Sequence, residues 1–263
     1  MMQIAGYCLC VFIGFSLGFI GGGGSILSIP MLVFFFGIDP VMATTYSLFI
    51  VGITALAGSV KHYQRSNIDY NTVLLFGIPS VIVLIIMRRW LVGLIPPIIF
   101  HTTRWTLSKP LFIMIAFSIT MLIAGLSMIK KKNYAQQVDK VSYPRLILRG
   151  CITGAITGFI GIGGGFIIVP SLVLFAGLPM KKAIGTSLVI IILNCIVSIF
   201  SNLVMIKSLD YRFLGILMLL SVAGILIGTR AMHFVPDKKL KPIFGWMILG
   251  LSLVIFVRII VED

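Results

Sequence analysis

The chain has 263 residues, a net charge of +14, 59% hydrophobic and only 11% charged residues, with a mean hydropathy of +1.14. So few polar side chains cannot cover a water-soluble globule of this size, which puts the chain in a bilayer. Apolar segments of about 20 residues exclude a transmembrane barrel, whose strands run to about ten residues of alternating character. The basic residues are scattered through short loops and gathered on no one face, which argues against nucleic acid and for anionic lipid at the membrane surface.

In chain order, the first apolar segment is Ile4–Phe36. It has no basic n-region and no small-residue cleavage pattern, so it is expected to be retained. Met42–Val60, Thr72–Met87 and Leu111–Ile129 follow, and Arg88–Pro110 is a basic, proline-containing insertion before the last of them. A basic connector at 130–149 carries Lys130, Lys131, Lys132, Lys140, Arg145 and Arg149 and reads as cytoplasmic. The second half then repeats the plan as Leu146–Ala176, Ala183–Ile206, Phe213–Met232 and Ile243–Ile260. The expectation is an all-α, polytopic helical membrane protein of two homologous four-segment repeats, 1–129 and 150–263. Cys8, Cys10, Cys151 and Cys195 all fall in apolar segments and read as small hydrophobes, with no metal site and no disulfide framework.

The duplication is carried by GFIGGGGSILSIP at Gly18–Pro30, which returns as GFIGIGGGFIIVP at Gly158–Pro170. An ungapped offset of 140 between 18–48 and 158–188 gives 14 identities in 31 positions. Asp69-Tyr70 is answered by Asp210-Tyr211, and Gly125-Leu126-Ser127 by Gly250-Leu251-Ser252. Each glycine run interrupts a first segment too long for one straight crossing, because Ile4–Phe36 would extend about 50 Å against a hydrocarbon core of about 30 Å. If each run is a single-span interruption, the halves are parallel and the basic residues favour no orientation. If each run is the tip of a helical hairpin, the halves are inverted and 14 of the 21 basic residues reach the cytoplasm. Charge favours the inverted version.

The runs themselves, Gly21, Gly22, Gly23, Gly24 with Ser25, and Gly161, Gly163, Gly164, Gly165, bare the backbone and admit positive φ. An amide nest and the N-terminus of a resuming helix can then point at one place, a site for a small anion that needs no lysine or arginine. Glycines also serve close helix packing, but that motif uses a spacing of four, and contiguous glycines destroy the helix. Neither run continues as a nucleotide phosphate loop. Ser47, Ser187 and Asn194 are candidate donors to an oxyanion, with serine bonding to its own helix carbonyls as the competing reading. Thr44, Thr45 and Thr186 open the same spans. His62 and Gln64 end the second span as candidates for gating or proton relay, against a purely structural interfacial histidine. Asp69 and Asp210 are read as helix caps. No span holds Asp or Glu in its middle, which argues against a cation relay, and no paired catalytic cluster suggests an enzyme.

These motifs together, the two GFIG-x-GGG…P runs, the A-x(3)-SL openings at Ala43–Leu48 and Ala183–Leu188, His62, and the Asp-Tyr pair, resemble the TauE/SafE sulfite exporter family. The resemblance implies a carrier in the plasma membrane, built from a duplicated unit and moving sulfite, organosulfonates or related sulfur oxyanions and carboxylates. The Arg88–Pro110 insertion departs from the short glycine-rich link seen at Gly224–Pro236. The expected function is therefore a secondary transporter for a small anion working by alternating access, without a cofactor or metal, with a homodimer as a candidate assembly. The competing readings are a passive anion channel and a membrane assembly subunit that transports nothing.

Overall fold

The computed structural model describes residues 2–22, 24–87, 98–102, 105–129, 143–160, 165–201 and 208–262. The first half contains α1 (Met2–Ile20), α2 (Gly24–Phe36) and α3 (Pro40–Gln64). A rod follows, made of α4 (Tyr70–Thr72), a π-helical turn (Val73–Gly77) and α5 (Ile78–Ile86), and the half closes with α6 (Lys109–Ile129). The second half contains α7 (Tyr143–Ile160), α8 (Gly165–Phe175), α9 (Met180–Ser201), α10 (Tyr211–Phe234) and α11 (Asp237–Glu262). Among the described residues four helices are long and apolar enough to cross a membrane, Val41–Gln64, Met180–Phe200, Tyr211–Phe234 and Lys239–Phe256. Large apolar side chains such as Phe200, Leu219, Phe234, Trp246 and Leu253 are exposed, a surface that is stable against lipid and unstable against water.

The insertion before α6 holds a short antiparallel hairpin, β1 (Ile98–Thr102) and β2 (Trp105–Ser108), with Thr102 opposite Trp105. It adds an element that the apolar periodicity did not suggest. Residues 88–97 of the insertion and 130–142 of the connector lie outside the described residues.

The polypeptide reverses at the first glycine run. Gly24 lies against Ile13 and Leu17, and Tyr7 packs edge-on against Phe36 with ring centroids 5.2 Å apart. The end of α2 is therefore beside the start of α1. In the second half the Arg149 guanidinium near the start of α7 donates to the Phe175 carbonyl at the end of α8, the same reversal. Each short arm ends on a left-handed glycine, Gly37 (φ 65°) and Gly177 (φ 69°). The amides of Ile38 and Leu178 reach back to the carbonyls of Leu32 and Leu172, each at 3.2 Å, a six-residue closure that frees the chain to turn into the next helix.

Contacts between the halves recur at the offsets found in the sequence. A side chain on Gly14 of α1 would strike the backbone of Ser221 in α10, and one on Gly154 of α7 would strike the backbone of Ser80 in α5. Gly18 meets Ile225, and Gly158 meets Leu84. These glycines sit four apart, as do Gly224 and Gly228, so facing backbones come into direct contact. The amide of Asp69 donates to Thr186 Oγ1 at 3.0 Å, and that of Asp210 donates to the Tyr46 hydroxyl at 2.7 Å. Each acidic side chain also caps its own helix, Asp69 through the Thr72 amide and Asp210 through those of Arg212 and Phe213.

The touching pairs α3 with α9 and α6 with α11 run antiparallel. Along α3 and α9, Gly52 is beside Cys195, Gly58 beside Leu188, and His62 beside Gly185. Along α6 and α11, Ser118 bonds to Ser252, and Gly125 lies against Leu249 and Gly245. Of the cysteines, Cys10 and Cys195 are buried, whereas Cys8 is exposed and is not the buried hydrophobe its apolar neighbours suggest.

Candidate functional site

Each glycine run breaks a helix, and the two breaks meet. A Cβ on Gly22 would overlap the Gly165 carbonyl, and one on Gly165 would lie 3.2 Å from Gly22 Cα, so the tips of the two hairpins are in backbone contact. Contiguous glycines make this approach sterically available, since any side chain at Gly22 would hold the second tip away. Gly21 takes φ 90°. It is the positive-φ residue of the first run among the described residues, which is fewer than a nest with several successive positive φ values would use. The helices resume at Gly24 and Gly165. Gly23, Gly161, Gly163 and Gly164 lie outside the described residues.

The arms that resume at these tips are short. At 1.5 Å per residue, the 13 residues of α2 and the 11 of α8 extend about 20 and 16 Å, less than a hydrocarbon core of about 30 Å. Phe166, fully buried, anchors the second arm by an edge-on contact with Phe117 of α6 at 4.8 Å.

One stripe of α9 covers the tips. A Cβ on Gly21 would lie 3.1 Å from Ser187 Oγ and 3.4 Å from Ile184, and one on Gly165 would lie 3.0 Å from Ile191. Asn194 continues the sequence 184, 187, 191, 194 on the same helical face. It is 1% exposed, and both its Oδ1 and its Nδ2 lack a hydrogen-bond partner among the described residues.

The hydroxyls near the tips are occupied by the protein itself. Ser25 Oγ donates to the Gly22 carbonyl at 2.7 Å, and Ser187 Oγ to the Ile184 carbonyl at 2.8 Å. Ser28 Oγ donates to the Ser25 carbonyl at 2.7 Å and also pairs with Ser47 Oγ at 2.5 Å. Ser47 is thus brought to the first arm through Ser28, a residue the sequence reading did not single out. The i, i+3 spacing of Ser25 and Ser28 on a helix that starts at the break was the signal available for it. Thr44 donates to the Val41 carbonyl.

His62 is wholly buried at the end of α3. A Cβ on Gly185 would lie 2.9 Å from its Nδ1, and neither ring nitrogen has a partner among the described residues. Gln64, two residues on, is exposed and does not share that burial. Among the described residues no group of three or more His, Cys, Asp or Glu is arranged to hold a metal ion.

Long apolar helices and lipid-compatible surfaces define a multi-pass helical membrane protein. The chain belongs to the sulfite exporter TauE/SafE family, whose model matches residues 7–255. It is 30% identical to a probable membrane transporter protein of Xylella fastidiosa over 185 residues, covering 67% of this chain and 64% of that protein. The alignment thus spans somewhat under two thirds of that relative's length. The probable membrane transporter protein MJ0441 of Methanocaldococcus jannaschii is 30% identical over 209 residues, 74% of this chain and 72% of its own. The probable membrane transporter protein YjnA of Bacillus subtilis is 25% identical over 259 residues, 96% of this chain and all of its own.

Proposed function

We propose that the protein is a secondary carrier of the plasma membrane that moves a small anion, namely sulfite, an organosulfonate or a related sulfur oxyanion or carboxylate. The observation that carries this reading is the contact between Gly22 and Gly165, which brings two helix starts from different halves to one place. Helix starts present partial positive charge and peptide N–H groups, and no lysine, arginine, aspartate or glutamate lies in either glycine run. Such a place favours a small negative guest over a cation.

In this reading Gly21, Gly22, Gly23, Gly24 and Ser25 from one half and Gly161, Gly163, Gly164 and Gly165 from the other supply the backbone of the site. Ser47, Ser187 and Asn194 supply side chains. The two halves are inverted repeats, each a series of five alternating segments. An odd number starts the second half on the opposite side of the membrane, and the antiparallel α3/α9 and α6/α11 pairs agree with that. Alternating access is a rocking of one half against the other about the tips. The Asp69–Thr186 and Asp210–Tyr46 bonds are the contacts that such a motion would stretch. His62 is better placed than Gln64 for a gating or proton-relay role, because it is buried between α3 and the start of α9.

Proteoliposomes containing the purified chain test the proposal. Labelled sulfite or a small sulfonate is expected to enter with saturable kinetics and to be exchanged by unlabelled anion on the far side. Cation movement without any anion flux would overturn the reading, and non-saturating anion flux would replace the carrier with a channel.

A further inference from the structure

The buried polar side chains around the glycine tips differ in one respect. Ser25 donates to the Gly22 carbonyl in the break before its helix, Ser187 and Thr54 donate to carbonyls of their own helices, and Ser28 and Ser47 pair with each other. Asn194 alone of this group has neither end of its side chain satisfied among the described residues. It lies one helical turn past Ile191, which touches the second tip, and two turns past Ser187, which touches the first.

An unsatisfied carboxamide makes a demand of two signs. Its Nδ2–H2 group donates and its Oδ1 accepts. An oxyanion without a proton of its own can only accept. It would satisfy Nδ2 while setting its charge against the Oδ1 lone pairs. Rotating the amide by half a turn exchanges the two ends and leaves the problem unchanged. A guest that satisfies both ends offers an acceptor oxygen and a donor within the few ångströms between Oδ1 and Nδ2.

We propose that the guest of this site carries an O–H or N–H donor in addition to its anionic oxygens, and that Asn194 selects for that donor. The proposal rests on the anion reading above and narrows it to hydroxylated, aminated or still-protonated oxyanions. The same logic applies to any site built to hydrogen-bond a guest hydroxyl: it rejects the analogue lacking the hydroxyl, because its own polar atom is then left unpaired.

Two permanently ionised sulfonates of equal length separate the possibilities without a change of pH: 2-hydroxyethanesulfonate and propane-1-sulfonate, which exchange a hydroxyl for a methyl group. Their affinities for the full chain in lipid nanodiscs are measured by titration calorimetry. The hydroxylated compound is expected to bind tighter by about tenfold or more. In Asn194→Leu that preference is expected to vanish. Should Asn194→Leu not fold, the unmodified protein and Asn194→Ala carry the comparison. Equal affinities in the unmodified protein, or a preference that survives in Asn194→Leu or Asn194→Ala, would overturn this inference and leave the anion reading standing. If neither sulfonate nor inorganic sulfite binds at all, the anion reading falls and takes this inference with it.

Discussion

The first and second halves build their glycine breaks differently. In the first, the arm after the break carries Ser25 and Ser28, and both hydroxyls are turned inward to carbonyls and to Ser47. In the second, the equivalent positions are Gly165 and Ile168, both buried, with no hydroxyl to offer. The facing helices are reversed in the same sense. Thr54 of α3 satisfies itself on the Ile50 carbonyl at 2.5 Å, whereas Asn194, at the offset-matched place in α9, has no side-chain partner among the described residues. Positions that match at an offset of 140 thus share a backbone setting while their polar chemistry differs. The hydroxyls Ser25, Ser28, Ser47 and Thr54 of the first half are closed on the protein itself, and Asn194 of the second retains an unmet hydrogen-bonding demand among the described residues. Unmet demand in a buried place is where a guest gains most, because its binding removes a penalty as well as adding a contact.

The largest effect is expected at the contact between the tips. Gly22→Val places a branched side chain where the Gly165 carbonyl lies, and overpacking of this kind costs about 1 to 3 kcal/mol or displaces the tip. Anion flux in proteoliposomes should fall by about tenfold or more, since 1.4 kcal/mol is a factor of ten. Flux at the unmodified rate would mean that the tips do not form the site. An intermediate effect separates Thr54 from Asn194. Asn194→Leu removes an unsatisfied buried group and should raise the unfolding midpoint of the ligand-free protein, by an amount on the order of 1 kcal/mol, while impairing function. Thr54→Val should lower the midpoint slightly, by less than about 1 kcal/mol, and leave transport intact. If the two substitutions shift stability in the same direction, the contrast between the halves is lost. The smallest effect tests the backbone correspondence. Gly37→Ala and Gly177→Ala meet nothing within 4 Å but must hold φ near +65° and +69°, so each should cost about 1 to 2 kcal/mol. The two costs should match, and a large difference between them in denaturant or thermal unfolding would show that equivalent turns do not carry equivalent strain.

Much of this molecule was legible before any coordinates. Hydropathy places the membrane segments, because a span must bury about 20 apolar residues whatever its neighbours are. The helix caps at Asp69 and Asp210 are local events and were readable for that reason. The tightly packed glycines Gly14, Gly18, Gly150, Gly154, Gly158, Gly224 and Gly228 carried a spacing-of-four signal that the contiguous runs overshadowed. The hairpin at Ile98–Ser108 was not legible, since two short strands within a basic, proline-containing stretch give no sustained alternation.

The sequence by itself determined a helical membrane protein and marked two glycine runs that are poor in helix propensity, since composition and glycine runs act through short-range sterics and solvation. Only the tertiary structure decided that the breaks meet at Gly22 and Gly165, that Ser25, Ser28, Ser47, Thr54 and Ser187 are satisfied, and that His62 and Asn194 have no side-chain partner among the described residues. The reason is physical. Whether a buried polar atom has a partner depends on residues far away in the chain, and no local pattern records how those residues pack.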